Sequence, residues 1–212
     1  MTDLSFSVAE VSPERFAASP SLLFKLQITE STGATVHAMA LRCQLMIEPQ
    51  RRPYTGGEKA GLADLFGTPD RWADTAKPFL WTHATAMVQG FTAVTEVDLP
   101  VLCTYDFDVV AAKYLHALRD GEIPLLLLFS GTVFTRGVNG FGVEQVPWHH
   151  EARFRLPVTA WRSLMDAYFP GGGWIRVDRD TLDALVRYKS ERALTSWEAA
   201  FAELLPPPAA VA

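Results

Sequence analysis

The chain has 212 residues, of which 49% are hydrophobic and 20% are charged, and its formal net charge is −5. This length is enough to bury a hydrophobic core in one large domain or two small ones, without crosslinks from disulfides or metals. A mildly acidic domain is not suited to neutralising phosphates, so we expect no nucleic-acid partner.

Neither a signal peptide nor a membrane span is predicted. The chain begins with MTDLSFSVAEV, which has no basic region and no long apolar region. Its longest apolar run, from Pro124 to Phe129, has the length of a β-strand and is far shorter than a membrane span. We therefore expect a soluble cytoplasmic protein, with residues 1–205 as a single α+β domain and residues 206–212 (PPPAAVA) as a flexible tail.

The two cysteines, Cys43 and Cys103, show no CxxC or zinc-binding spacing. Cysteine is among the most frequently buried residue types, so the sequence predicts one buried thiol in each of two strands. A disulfide would form only if the two strands faced each other.

The first half of the chain is predicted to consist mainly of strands. Leu22, Phe24, Leu26 and Ile28 alternate with more polar residues, which is typical of a half-buried strand. A second apolar face follows at Met39, Leu41, Cys43, Leu45 and Ile47. Gly33 lies between the two runs and predicts a hairpin, and Pro49 is expected to end the second strand.

Residues 50–78 interrupt this pattern. Glu58 to Phe66 is predicted as a short helix that ends at Gly67, and Thr68-Pro69-Asp70 has the residues of a helix start. Residues 79–88 and 91–99 are predicted as two further strands, the second closed by Pro100.

The second half combines strands with helices. We predict a helix from Asp106 to Arg119, a central strand over 123–134, a turn at Asn139-Gly140, and a return strand over VEQVPWHHEARFRLP, residues 143–157. Helical segments follow, and Thr195-Ser196-Trp197-Glu198 matches a capping box. The order predicts an α+β fold: an antiparallel β-sandwich of about seven strands, or a single curved sheet, with C-terminal helices packed against it.

The adjacent histidines His149 and His150 resemble a metal site or an acid–base pair. On a regular strand, successive side chains point to opposite faces. The sequence therefore predicts that these two imidazoles do not bind one ion, unless a bulge places them together.

Other signatures of catalysis, cofactor binding or metal binding are missing. The sequence has no HxH, HxxxH or HExxH motif, no GxSxG, no GxGxxG and no phosphate-binding loop. We therefore predict no metal, no cofactor and no catalytic residue. As an alternative, His83, Asp106, Asp108 and His150 would be the polar groups of a pocket between the sheet and the helices, in an enzyme or a small-ligand-binding protein.

One loop region carries the residue types that anchor protein interfaces. Arginine and aromatic side chains are enriched at such anchors. The region predicts a partner-binding surface formed by Arg51, Arg52, Tyr54, Arg71 and Trp72. The alternative interpretation is a solvated loop with Trp72 packed inward.

Several longer segments resemble an uncharacterised family of actinobacterial type, a domain of unknown function of about this length. They include HAMALRCQLMIEPQRRPY, RWADT, FLWTH, VDLPVLCTYDFDVVAAKYLHAL, PLLLLFSGTVF and VPWHHEARFRLPVTAW. The resemblance implies an association with the genes of high-affinity nickel–iron hydrogenases, and with it an accessory or maturation role. It carries over no catalytic residue.

These observations leave three functional hypotheses. The first is a non-catalytic binding or assembly protein, with a hydrogenase subunit or maturation protein as its partner. The second is the enzyme or small-ligand binder described above. The third is a β-rich chaperone, which would expose an apolar patch of more than a few hundred Å².

Overall fold

The computed structural model describes residues 2–106, 109–137, 140–172 and 175–205, and within them eight antiparallel strands lie in two sheets. The strands are β1 (Leu4–Pro13), β2 (Ser21–Glu30), β3 (Thr35–Ile47), β4 (Phe79–Thr92), β5 (Val94–Leu102), β6 (Glu122–Gly137), β7 (Gly140–Val146) and β8 (Glu151–Pro157). The helices are α1 (Gly56–Gly61), α2 (Ala63–Phe66), α3 (Trp72–Thr75), α4 (Val110–Ala117), α5 (Val158–Tyr168), α6 (Arg179–Glu191) and α7 (Trp197–Leu204). Two 3-10 turns lie at Pro49–Arg51 and Pro69–Arg71. The predicted α+β class is confirmed.

The two sheets pack face to face around one apolar core. The first sheet has the order β1-β2-β5, and the second has β4-β3-β6, with β7 and β8 both paired to β6. Phe6 of the first sheet stacks on Phe129 of the second, with ring centroids 4.4 Å apart. Phe24 packs edge-on against Trp81 and Phe154 of the second sheet. The alternating apolar rows of β2 and β3 supply much of this core.

The predicted hairpin between the second and third strands is wrong. β2 pairs with β1 and β5, whereas β3 pairs with β4 and β6. β2 and β3 each have one buried apolar face. Because the chain passes from one sheet to the other between Glu30 and Thr35, these two faces meet across the core. Pro49 does follow the end of β3, as predicted. Pro100 does not end β5, which runs on to Leu102 at the edge of its sheet, where proline is tolerated.

The return strand opposite β6 is interrupted. β7 pairs with residues 131–137 and β8 with residues 122–128, both antiparallel to β6. Four residues, Pro147 to His150, therefore lie opposite only two, Phe129 and Ser130. The predicted continuous strand over 143–157 is corrected to two strands joined by this bulge. The His150 carbonyl accepts a hydrogen bond from Phe129 N at 3.0 Å, which keeps the bulge against β6.

The segment between β3 and β4 folds into short helices. The predicted helix over 58–66 is two helices, α1 and α2, which join at Leu62. The predicted start at Thr68 is a 3-10 turn that leads into α3. Helix α4 is shorter than predicted, because the backbone is extended at Val109 and again at Leu118. Its buried face includes Tyr114, which contacts Phe66 of α2.

The chain divides into two compact units, Met1–Trp174 and Ile175–Ala212. In the first, Trp161, Leu164 and Met165 of α5 join the apolar core. In the second, Ser196 caps α7 by accepting a hydrogen bond from Ala199 N at 3.0 Å, and Arg192 forms an ion pair with Glu203. The predicted turn residue Asn139 and the tail 206–212 lie outside the described residues. Over the part of the chain that is described, no helix combines the length and the apolar character that crossing a membrane requires.

Candidate binding site beside the Pro49–Arg51 turn

A buried ion pair organises the loop that follows the Pro49–Arg51 turn. The Arg52 and Glu58 side chains are 6% and 2% exposed, and Arg52 Nη2 lies 2.9 Å from Glu58 Oε1. Arg52 also donates through Nη2 to the Asp120 carbonyl at 3.0 Å and through Nε to the Pro53 carbonyl at 3.2 Å. Its third nitrogen, Nη1, is buried and has no hydrogen-bond partner among the described residues. The guanidinium is thus held in one position by the loop.

The Glu58 carboxylate connects three segments of chain. It accepts hydrogen bonds from Thr55 N at 2.9 Å, from Thr55 Oγ1 at 3.2 Å and from Arg119 N at 2.9 Å. With the bond from Glu58 N to Thr55 Oγ1, this forms a capping box at the start of α1. Burial raises the pKa of Glu58. The N–H groups of Arg119 and Thr55 and the charge of Arg52 together lower the pKa by more than burial raises it, so it lies below its ordinary value. Glu58 is therefore an anion at neutral pH.

An aromatic cavity of about 400 Å³ adjoins this ion pair. We call it the aromatic cavity; it is lined by Pro49, Gln50, Arg52, Tyr54, Trp72, Ala73 and Ala76. The Tyr54 and Trp72 rings meet edge-to-face with centroids 5.1 Å apart, and the Arg52 guanidinium lies 4.9 Å from the Tyr54 ring centroid. Trp72 Nε1 donates to the Gly67 carbonyl at 2.9 Å, which fixes the indole. Apolar and aromatic walls with a few polar groups are typical of binding sites.

Hydrogen bonds also fix the Tyr54 ring. The Tyr54 hydroxyl donates to the Pro49 carbonyl at 2.8 Å and lies 2.8 Å from the hydroxyl of the fully buried Tyr114. Because Tyr54 uses its proton on Pro49, Tyr114 is the donor in the second bond. Burial is the main reason that the pKa of Tyr54 rises to about 12 and that the pKa of Tyr114 rises as well. Both phenols are neutral at physiological pH and serve as fixed walls.

A second cavity, of about 320 Å³, lies on the other side of the same turn. We call it the arginine cavity; it is lined by Glu48, Arg51, Pro124, Leu125, Arg153, Phe154 and Arg155. Glu48 is buried, with Arg51 Nε 3.1 Å from its Oε1 and Arg153 Nε 3.7 Å from its Oε2. The three arginine side chains are 53%, 50% and 59% exposed in chain order.

The structure divides the predicted partner-binding residues. Arg52, Tyr54 and Trp72 line the aromatic cavity, whereas Arg51 lines the arginine cavity. Arg71 is exposed and lines neither. Trp72 is half-buried against Tyr54 and Phe66, as the inward-packing alternative expected, but it also forms part of a cavity wall.

The residues of the alternative pocket lie on separate elements. His83 is exposed on β4. It pairs with Gln44 of β3, which pairs with Leu128 of β6, which in turn pairs with Glu151 of β8. His150 precedes Glu151, so three strand spacings, about 14 Å, separate it from His83. Asp106 follows β5 of the other sheet, and Asp108 lies outside the described residues.

His149 and His150 are not separated by a regular strand, contrary to the sequence prediction. The bulge places their rings with centroids 4.6 Å apart, and His150 also packs edge-on against Phe6. Burial, followed by the neighbouring His149, lowers the pKa of His150, against an opposing effect of Asp3. Trp148, on the same bulge, is 88% exposed. Among the described residues, no three or more His, Cys, Asp or Glu side chains are grouped to hold a metal ion.

The two cysteines are buried free thiols, as predicted, but only Cys43 lies in a strand, because β5 ends one residue before Cys103. Burial raises the pKa of each thiol to about 12, so neither is a reactive thiolate at neutral pH.

Sequence reasoning missed two parts of this region, the capping box and most of the arginine cavity. Thr55 and Glu58 fit the S/T-x-x-E pattern of a capping box, a signal that was available in the sequence. Glu48, Arg153 and Arg155 carried no comparable signal, because they meet only through the pairing of β8 with β6 and the position of the turn after β3.

Comparison with known proteins gives a family but no activity. A family model described as "Family of unknown function (DUF6084)" matches residues 1–211. None of the curated proteins matches the chain significantly.

Similar solved structures are distant. A beta-glucosidase from Kluyveromyces marxianus has 7% identity and a TM-score of 0.26, and the match covers 73% of this chain but only 15% of that chain. The CARDB domain of a Pyrococcus furiosus protein, in complex with di-metal ions, has 10% identity, a TM-score of 0.28 and coverage of 74% and 92%. A putative late embryogenesis abundant protein has 12% identity, a TM-score of 0.32 and coverage of 73% and 72%. Similarities this low support no conclusion about this chain.

Proposed function

The chain belongs to DUF6084, a family of unknown function, and we propose that it is a non-catalytic binding protein that holds a segment of a protein partner in the aromatic cavity. The observation that carries the proposal is the aromatic cavity itself, whose lining includes Tyr54, Trp72 and Arg52. Its volume of about 400 Å³ lies within the range of ligand pockets. Tyrosine, tryptophan and arginine are the residue types that dominate binding energy at protein interfaces.

The rigidity of the walls supports this proposal. Each of the three side chains is held by hydrogen bonds to the backbone or to a buried carboxylate. A preformed site avoids the entropic cost of ordering its side chains when a partner binds. Gln50 adds a further link between the two sides of the cavity, since its Nε2 donates to the Ala73 carbonyl at 2.9 Å.

The finer identity of the partner rests on the resemblance in the sequence alone. It suggests a subunit or a maturation protein of a nickel–iron hydrogenase. A cytoplasmic location goes with this proposal, because free thiols persist in a reducing compartment.

The enzyme alternative has less support. The polar cavity around His116, Tyr105, Arg119 and Asp166 holds only about 140 Å³, below the usual size of a small-molecule site. Burial, followed by the charge of Arg162, lowers the pKa of His116 to about 4, so this imidazole is a poor general base for neutral solution. The chaperone alternative has no specific observation in its favour.

Affinity purification of the tagged protein from its native host tests the proposal. Trp72→Ala removes a cavity wall, and Ala73→Trp fills the cavity from an exposed position. Each should reduce the amount of co-purified partner by about tenfold or more, as expected for an interface anchor. Ala60→Trp, at an exposed position of α1 outside the cavity, is the matched control and should retain the partner. Wild-type partner levels in both cavity variants, with folded proteins by circular dichroism, would refute the proposal.

A further inference from the structure

The two cavities are neighbours because a single turn separates them. Pro49 and Gln50 line the aromatic cavity, while Glu48 and Arg51 line the arginine cavity. Residues of one short segment, Glu48 to Arg52, thus line both cavities. An extended peptide that places one side chain in the aromatic cavity has the arginine cavity within a few residues, since each residue of extended chain spans about 3.3 Å.

The arginine cavity has a surplus of hydrogen-bond donors. Each guanidinium carries five N–H donors in a planar fork. Arg51 meets Glu48 through Nε, Arg153 meets Glu151 through Nη1 at 2.7 Å, and Arg155 approaches Glu122 only to 3.8 Å. About half of each arginine side chain remains exposed. Because the three side chains line one cavity, their exposed donors are available to a single ligand.

The charges in the arginine cavity favour an anionic ligand. Its lining holds three arginines and one carboxylate, the buried Glu48, which leaves two positive charges on the lining. The carboxylates of Glu151 and Glu122, which pair with Arg153 and Arg155, are not part of the lining. They are 42% and 51% exposed, so solvent weakens their competition for the arginines. Carboxylates bind arginine forks in a bidentate manner, which adds both affinity and direction.

From this arrangement we infer that the partner segment is an acidic peptide with an apolar anchor, in which Asp or Glu residues bind Arg51, Arg153 and Arg155 while the anchor fills the aromatic cavity. This inference rests on the proposed function and specifies the chemistry of the partner. Glu48 acts as a positioning residue, because its contacts hold Arg51 and Arg153 on one side of the turn.

Synthetic peptides test the chemistry directly. The probes are the capped peptide EDELPLEDE and its amide analogue QNQLPLQNQ, titrated into the full-length protein by isothermal calorimetry. The acidic peptide should bind about tenfold or more tightly than the amide analogue at about 0.05 M NaCl, and this advantage should shrink at about 0.5 M NaCl, where charges are screened. Equal affinities, or no binding of the acidic peptide at about 1 mM, would overturn the inference.

Variants separate this inference from the proposed function. Arg153→Gln with Arg155→Gln should remove the preference for the acidic peptide and reduce the co-purified partner by about tenfold. The control, Arg42→Gln with Arg187→Gln, changes the net charge equally at two exposed positions outside the cavity. It should leave the peptide preference and the amount of co-purified partner unchanged. If Ala73→Trp loses the partner but the cavity arginine variant keeps it, the proposed function stands and the acidic specificity is wrong. If both variants keep the partner, both proposals fail.

Discussion

Glu58 is the side chain that links the loop, α1 and the end of α4. Its two oxygens accept bonds from Arg52, Thr55 and Arg119, which together hold one wall of the aromatic cavity. A carboxylate buried with its arginine contributes little when the pair is intact, but losing one partner leaves the other charge buried and unpaired. The stability of the site should therefore depend strongly on this single residue.

Replacement of Glu58 by Gln should lower the free energy of unfolding by about 3 kcal/mol at neutral pH. The folded pKa of Glu58 lies below its unfolded value, so the wild-type contribution is complete above the unfolded pKa of about 4 and is lost as pH falls through the folded pKa. The difference between wild type and the Glu58 variant should thus narrow below pH of about 4. Urea unfolding across pH measures it, with Glu203→Gln, which alters an exposed ion pair, as the control. A difference that stays constant with pH would contradict this account.

The two tyrosine hydroxyls should contribute unequally. Tyr54→Phe leaves the fully buried Tyr114 hydroxyl without its acceptor, which costs about 1–3 kcal/mol. Tyr114→Phe leaves the bond from Tyr54 to the Pro49 carbonyl in place, so its cost should be smaller, about 1 kcal/mol. Thermal or urea denaturation of the two variants gives the order. A larger cost for Tyr114→Phe would show that the donor assignment is wrong.

At the scale of elements, local patterns predicted strands better than their pairing. The apolar alternation in β2 and β3 and the continuous apolar run in β6 correctly predicted strands with a buried apolar face. The pairing of β2 with β3 was predicted wrongly because Gly33 is equally compatible with a hairpin and with a crossing between sheets. The bulge at Pro147–His150 was also missed, although Pro147 inside the predicted strand was a signal for such an interruption.

The prediction of the candidate site was limited in the same way, because the pairing of the strands was not predicted from the sequence. Arg52, Tyr54 and Trp72 were recognised by residue type within one loop region. Arg153 could not be connected to Arg51, because the two are about a hundred residues apart and meet only through the second sheet.

Gly131 marks the point of β6 beside the bulge and should not tolerate a side chain. Its φ is +154°, and an added Cβ would lie 2.2 Å from the Ala40 carbonyl oxygen of β3. The Ala40 carbonyl is held in the pairing of β3 with β6 and cannot move away from the added Cβ. Gly131→Ala should therefore lower the free energy of unfolding by about 3 kcal/mol or more. Gly57→Ala, where nothing lies within 4 Å, should be neutral or stabilising by up to about 1 kcal/mol. Equal urea midpoints for the two variants would contradict the tight approach of β3 and β6.

At the scale of the whole molecule, the local charge at the candidate site is opposite in sign to the net charge of the chain. The chain carries a net charge of −5, yet three arginines gather at one cavity of the first unit. Among the residues that the structure describes, those of the apolar core lie between Leu4 and Met165, within that same unit. The candidate site therefore stands on the elements that the core makes rigid, which suits a preformed binding surface.

Photo-crosslinking at Gln50 tests the central claim most directly, because this exposed residue lines the aromatic cavity on the turn between the two cavities. A benzophenone amino acid at position 50, irradiated in the native host and analysed by mass spectrometry, should give one dominant covalent adduct. The crosslinked peptide should contain an apolar residue flanked by Asp or Glu. The same probe at Gln27, exposed on β2 of the other sheet, should not give that adduct. An identical adduct pattern at positions 50 and 27, or no adduct at position 50, would contradict a binding site at this turn.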